Sequence, residues 1–538
     1  MILDANERER LSQQAQKMFR QQPTDYVAAV PVLQQAAVLG DEWCMCSLGW
    51  CYEFGKGVEQ DMMQARWLYQ QSAEKGYAPA QCNIAVLCIT GKGAVPDPEQ
   101  GAMWLQKAAA QGYARAQYLL GTMYQEGRGV ERDPVKAAKC FGDAAFQNYA
   151  AAQFSLGVCY ERGRGVERNF ETALNQYLKA AKQGHLAAVY NAGYFYEMGL
   201  GTPKDSEKAV QFYTWAAEEG DSDAQCSLAW CYDTGTGVKR NSKRAVELYQ
   251  KAVDQGHLRA MHNLAWCYRM GQPGADGPDR KKKAIELFRR AADQGYMSSL
   301  CDLGICYEQG FGVEKNLETA LDMYRRSAER GVGKAMNCLG ECYWHGIGVD
   351  VDLNTALDWF EKGAEAGHPE SQFTVAWFLE ENIAGKTDLK QAVYWYIKLL
   401  EQDLPDRECW VNAANNLGEC YRHSRGVEKD LKRAEELYTM SGRCGNDMAW
   451  FNLGEMYEQE KSDVMSAIAF YRRGIEECKT GGDCALALAL LYEKGLGVEK
   501  DPSAAVELAQ LALKRAQEDE QVIRDAKAIL KRQNAESN

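Results

Sequence analysis

A period of 36 residues runs through this chain and limits what it can fold into more than any other feature. Fixing on the aromatic that follows a recurrent Leu-Gly or Leu-Ala step, three residues after the Gly or Ala, gives Tyr52, Tyr124, Tyr160, Tyr196, Tyr232, Tyr268, Tyr307, Tyr343, Tyr421, Tyr457 and Tyr492, with Cys88 and Leu379 filling the two gaps. These mark thirteen units, and nine of the twelve spacings are 36 residues. Self-similarity at this period means stacked supersecondary units, each burying one face against the next. Almost no length remains for a separate catalytic domain, so function is to be sought on the surface of the array.

Each unit reads as two antiparallel helices. Strings such as AAQFSLGVCYERG and ARAQYLLGTMYQEG place small and apolar residues at helical spacing around a Gly. This first helix, A, stops at a Gly-x-Gly step, as at Gly127 and Gly129 or Gly163 and Gly165, where positive φ is tolerated. An Asp or Asn follows in twelve units: Asp61, Asp97, Asp133, Asn169, Asp205, Asn241, Asn316, Asp352, Asp388, Asp430, Asp463 and Asp501. At this position it N-caps the second helix, B, and is worth about 1 kcal/mol. Pro98, Pro134 and Pro502 then fit the first helical position, where a missing N–H costs nothing.

Composition bounds the partners. Lys plus Arg total 62 against 75 for Asp plus Glu, a net charge of -13, which gives no field to attract a polyanion and argues against nucleic acid. The N-terminal MILDANERER alternates charges and has no apolar signal core, and no run approaches the ~18 apolar residues of a membrane helix. Nineteen cysteines in so long a chain read as thiols in a reducing compartment, and the expected location is cytoplasmic, with no membrane insertion.

The pattern A-x5-Gly-x2-Tyr-x2-Gly-x-Gly-Val-x2-Asp-x3-Ala-x3-Tyr-x2-Ala-Ala-x2-Gly, followed closely by residues 152–184 and 224–256, resembles the Sel-one-like (Sel1-like) repeat family. The resemblance spans about residues 41–515 and implies an all-α, right-handed α/α superhelical solenoid, akin to tetratricopeptide arrays, that acts as an adaptor. Secreted relatives pair a helix-A cysteine with one near the end of helix B, but Ala73, Ala109, Ala181 and Ala217 stand at that second position here. The expected organisation is an N-terminal capping helix pair (1–40), repeats (41–400), an irregular insertion or bend (401–412), further repeats (413–515) and a C-terminal capping helix (516–538), about thirteen two-helix repeats in all.

No catalytic chemistry emerges from the sequence. Cys51, Cys159, Cys231, Cys267, Cys306, Cys342 and Cys420 recur at one slot that Leu87, Met123, Phe195 and Phe378 fill elsewhere, which makes it an apolar packing slot. Cys338, Cys342 and His345 share a helical stripe but lack a fourth ligand for structural zinc. His185, His257 and His368 follow the glycine that ends helix B, where Tyr77, Tyr113 and Tyr296 stand in other units, which suggests a turn contact. No nucleophile elbow, phosphate loop or paired-carboxylate motif is found, so neither an enzyme nor a cofactor is expected.

Binding residues are sought where the framework varies. The residue after the Gly or Ala of helix A is Trp50, Tyr194, Trp230, Trp266 or Trp377 in five units and Glu341, Glu419 or Glu455 in three later ones. Tyr118, Phe154 and Tyr190 lie on the same helical stripe, four residues earlier, and Asn191 and Asn263 occupy the adjacent polar slot. Together these ten aromatic and Asn residues predict a concave wall that grips a protein or peptide, since Trp and Tyr bury much area and lose few rotors. The alternative for the aromatics is packing between neighbouring units. A small-molecule function, binding or hydrolysing β-lactams or binding glycans, is the other class of reading, and the missing bridge cysteines weigh against its β-lactam form. The insertion GQPGADGPD at 271–279 and the added length near 401–412 are the main departures from the period, the latter suggesting a seam near residue 400.

Overall fold

In the computed structural model, which describes residues 2–21, 24–402, 404, 407–478, 482–516 and 519–536, the period becomes thirteen helix pairs. They run from Glu42–Phe54 with Met62–Glu74 to Asp483–Lys494 with Pro502–Arg515. Ile2–Arg20 and Tyr26–Val38 precede them, and Glu520–Glu536 follows. Among the described residues there are twenty-nine helices and no strand. None is long and apolar enough to cross a membrane. Contacts divide the chain into two compact units, residues 1–277 and 278–538, each an all-α solenoid. The division falls inside the 271–279 insertion, whose extra residues lengthen the link between one A helix and its B helix. Of the 401–412 segment, residues 403, 405 and 406 lie outside the described residues, and 408–412 open the longer helix Glu408–His423 inside the second unit.

The loop chemistry explains the repeat signature. All twelve Asp and Asn side chains accept backbone N–H groups at the start of helix B. Only Arg280–Asp293, the B helix after the insertion, starts without a side-chain cap bond, at Asp279. At the helix-A end, Gly163 (φ 65°) and Gly165 (φ 73°) are left-handed, and Arg164 N donates to Cys159 O at 3.0 Å, closing a Schellman turn. The two glycines differ in purpose. A Cβ on Gly163 meets nothing closer than 3.4 Å, whereas one on Gly165 would lie 1.9 Å from Pro134 O in the preceding B helix. Gly129 against Pro98 O and Gly237 against Ser206 O repeat this, at 2.3 and 2.2 Å. The second glycine is therefore where successive repeats touch backbone to backbone.

Within a repeat, the helix-A Gly receives the helix-B ring: a Cβ on Gly157 would lie 2.6 Å from Tyr177 and one on Gly340 2.5 Å from Phe360. The helix-B tyrosines are fully buried, and their hydroxyls donate back to helix-A carboxylates, Tyr69 to Glu53 at 2.9 Å, Tyr324 to Glu308 at 2.7 Å and Tyr396 to Glu380 at 2.7 Å. Helix Glu408–His423 inverts the arrangement: Arg422 replaces the Glu, and Tyr438 donates to Glu419 instead.

Glutamines tie repeats together. Gln111 Nε2 donates to Gln81 Oε1 (2.8 Å) and Gly76 O (2.9 Å), and Gln81 Nε2 donates to Ala73 O (3.1 Å). The same relay recurs in Gln147/Gln117, Gln183/Gln153, Gln255/Gln225 and Gln402/Gln372. Its final acceptors are carbonyls at the end of the previous B helix, which also accept a turn N–H, as Ala73 O does from Gly76 N at 3.0 Å.

His185, His257 and His368 cap the following A helix, each Nδ1 accepting the N–H of the third helical residue at 3.3, 3.0 and 3.4 Å. Protonation removes that lone pair and sets a positive charge at the positive end of the helix. Burial holds His185 and His368 below the ordinary imidazole value; at His368, Lys334 and Arg407 act in the same direction and Glu370 opposes. A base whose folded value is depressed gives stability that is complete above the unfolded value, about 6.5, and is lost as pH falls through the folded one. A His185→Tyr/His368→Tyr chain, adopting the residue other repeats use, is expected to lose about 1 kcal/mol less than the natural chain between pH 8 and pH 5.5 in urea unfolding. Identical pH dependence of the two would show that the caps do not titrate.

Candidate functional site: the helix-A face

The ten residues singled out from the sequence separate into three groups. Tyr118, Phe154 and Tyr190 pack on helix-B rings of their own repeats, Phe141, Tyr177 and Tyr213, at 5.9, 5.7 and 5.6 Å between centroids. Tyr118 also meets Tyr149, and Phe154 stacks on His185 at 4.7 Å, both from the next repeat. This column packs within its own repeats, and at Tyr118 and Phe154 also against the next. Asn263 Nδ2 donates to the buried Tyr249 hydroxyl at 3.3 Å, and Asn191 is bonded to the Tyr177 hydroxyl. The asparagine slot thus adds a donor to buried helix-B phenols, one of which, Tyr177, also donates to Glu161.

The slot after the Gly or Ala is different. Trp50 packs between Tyr26 and Phe54, and Trp377 against Trp344 and Phe378. Tyr194 and Trp230, by contrast, are each 40% exposed, and Trp266 is half-buried with the Arg269 guanidinium 4.8 Å over its ring. Met198 and Met270 stand four residues beyond Tyr194 and Trp266 and are 55% and 58% exposed. Three consecutive A helices, Leu186–Met198, Ser222–Thr234 and Leu258–Met270, therefore carry an exposed stripe of two rings and two thioethers, with Trp266 set into it. The methionines escaped the sequence reading, although their i+4 relation to the aromatic slot marks them. Arg259 crosses the same face: its guanidinium reaches Ser227 Oγ (2.9 Å) and Cys226 Sγ (3.4 Å) on one neighbouring A helix and the Tyr190 hydroxyl on the next. It fixes the spacing of these three helices.

In three repeats of the second unit the same slot is charged. Glu341 and Glu419 pair with His345 (3.3 Å) and His423 (3.4 Å), and Glu455 with Arg422 (2.9 Å). Burial raises Glu341 above its ordinary value.

The recurrent cysteine slot is buried throughout. Burial pushes Cys231, Cys267, Cys342 and Cys420 up to about 12, far from the thiolate range at neutral pH. Cys51, Cys159, Cys231, Cys267, Cys342 and Cys420 form no disulfide. Among the described residues no group of three or more His, Cys, Asp or Glu is placed to hold a metal ion, and His345 turns instead to Glu341 and the Trp344 ring.

The family model described as "Sel1 repeat" matches residues 44–77, 78–113, 114–148, 150–185, 186–221, 222–257, 258–296, 298–332, 333–368, 369–404, 411–446 and 482–516. The helix pair it passes over, Asp447–Gln459 with Val464–Glu477, lacks the Gly-x-Gly step. Among solved structures, the chain is 30% identical to c5321, a protective antigen of uropathogenic Escherichia coli strains displaying an SLR fold, with 87% of this chain and 97% of that one covered and a TM-score of 0.57. It is 32% identical to a Sel1 repeat protein from Oxalobacter formigenes, over 46% of this chain and 96% of that one, with a TM-score of 0.42. Comparison with curated proteins gives no match. With twelve of its thirteen helix pairs matched in register, the chain belongs to the Sel1 repeat family.

Proposed function

We propose that this chain is a non-catalytic scaffold, working in the reducing cytoplasm, that binds a protein or peptide on the helix-A face of its first unit. Sel1 repeat proteins generally mediate protein–protein interaction. The observation that carries the reading is the stripe formed by Tyr194, Met198, Trp230, Trp266 and Met270, because monomers seldom leave rings and thioethers aligned in solvent without a partner. Methionine adapts its shape to a ligand and the rings supply rigid area, the usual division at a peptide groove. Protonated, buried thiols and asparagines already bonded within the fold support binding rather than chemistry.

Peptides selected from a random displayed library on the full chain are expected to bind a Tyr194→Ala/Trp230→Ala variant at least tenfold more weakly by calorimetry, a loss of about 1.4 kcal/mol or more. Both side chains are exposed, so the variant is expected to unfold within about 1 kcal/mol of the natural chain. Equal affinity of the two proteins for every selected peptide would place the interaction elsewhere.

A further inference from the structure

The last two A helices, Asp447–Gln459 and Asp483–Lys494, and the terminal helix Glu520–Glu536 enclose a cleft of about 410 Å³. The terminal helix covers the last repeat, and Phe451, the largely buried Leu486 and Leu490 form the floor of the cleft. Those positions match the packing and variable slots of helix A elsewhere in the array. Above the floor, the rim carries Glu455, Glu458, Asp483, Asp519 and Asp525, against one cation among the described lining residues, Lys494.

Some of these carboxylates already have work in the fold. Glu455 receives Arg422 at 2.9 Å, and Glu458 accepts the Tyr471 hydroxyl at 3.3 Å. Asp519 caps the terminal helix through Gln521 N and Val522 N, and Asp525 accepts the Gln521 amide at 2.7 Å, all from uncharged donors. Burial and then the neighbouring charge of Asp519 raise Asp483 above its ordinary value, the sign of a negative group short of compensation. The surroundings reinforce this. Residues 278–538 hold 34 Lys and Arg against 45 Asp and Glu, so -11 of the chain's net charge of -13 lies in this unit.

We propose that this cleft docks a basic amphipathic segment of a partner protein, with aliphatic side chains on Phe451, Leu486 and Leu490 and lysine or arginine groups against Asp483, Asp519 and Asp525. An apolar segment without cations would bury Asp483 further with nothing to pair it. An acidic segment would meet like charge on every side of the rim. A polar cation alone would leave the leucine floor wet. The volume, near the small end of ligand pockets, takes about two or three side chains, so the segment contributes anchors rather than a whole helix. This site is separate from the aromatic stripe of the first unit and stands without it.

The probe is a fluorescein-labelled, terminally blocked 12-residue peptide with Leu on one helical face and Lys on the other, titrated onto the full chain by anisotropy. A partner peptide carries Glu in place of every Lys. The Lys peptide is expected to saturate one site, to bind Asp483→Asn/Asp525→Asn and Leu490→Ser at least tenfold more weakly, and to bind Tyr194→Ala/Trp230→Ala unchanged. Lys494→Glu, which removes the opposing cation from an exposed position, is expected to tighten binding about threefold, a gain that misfolding cannot produce. No saturable binding, equal affinity of the Asn double variant, or equal affinity for the Glu peptide would each overturn the proposal.

Discussion

Replacing Gly165 with alanine is expected to destabilise the first unit by about 3 kcal/mol or more, while the same change at Gly163, two residues earlier in the same motif, costs about 1 kcal/mol. Both glycines are left-handed, at φ 73° and 65°, so the intrinsic backbone penalty is shared. The difference lies in what the methyl group meets. At Gly165 it would stand 1.9 Å from Pro134 O, a backbone atom in the first turn of the preceding B helix, which cannot rotate aside. At Gly163 the nearest atom is 3.4 Å away on the Arg168 side chain. Relief at Gly165 requires the two repeats to part, which exposes the interface that holds them. Denaturant midpoints by circular dichroism, with hydrogen exchange in the helices Pro134–Phe146 and Phe170–Ala181, distinguish the two sites. Equal shifts for the two variants would mean that only the sign of φ matters and that the junction is soft.

The second large effect is expected at Arg422. Its side chain is 1% exposed and donates to Glu455 at 2.9 Å, Gln459 Oε1 at 3.0 Å and Asn452 O at 3.4 Å, all on the next A helix. Arg422→Met is expected to cost about 2 kcal/mol or more, since the bonds of a buried guanidinium are lost and the partly exposed Glu455 loses its cation. Adding Glu455→Gln is expected to recover part of that loss, because the orphaned charge is then gone. Urea unfolding of the two single variants and the double closes the cycle. Strictly additive losses would show that Arg422 acts by filling space and not through its charge.

Much of this architecture is legible in the residues because the signals are local. A capping Asp or Asn in twelve units, a helix-ending Gly-x-Gly in most of them and a proline at the first helical position in three each act over about four residues, so the element pattern follows almost without tertiary information. The cysteine slot is equally plain, because Leu, Met and Phe alternate with it. What the sequence conceals is contact across repeats. Nothing local distinguishes Asn263, which serves the Tyr249 hydroxyl, from an asparagine facing a ligand. Nothing local tells Phe154, stacked on His185 of the next repeat, from Trp230, which stands in solvent. The Gln81 and Gln111 relay is visible in hindsight as glutamines recurring 36 residues apart, but its meaning depends on carbonyls of a helix in the previous unit.

That relay bears on how such a chain changes over generations. Its last bonds go to Ala73 O, Ala109 O, Ala145 O, Ala217 O and Ala364 O, which are main-chain atoms that every unit possesses whatever its side chains. A glutamine pair therefore recognises any predecessor equally well. Gain or loss of one whole period restores an equivalent junction, whereas gain or loss of a fraction breaks it. The chain's length is in effect counted in units of 36, and its surface can be reassorted by inheritance without renegotiating the joints.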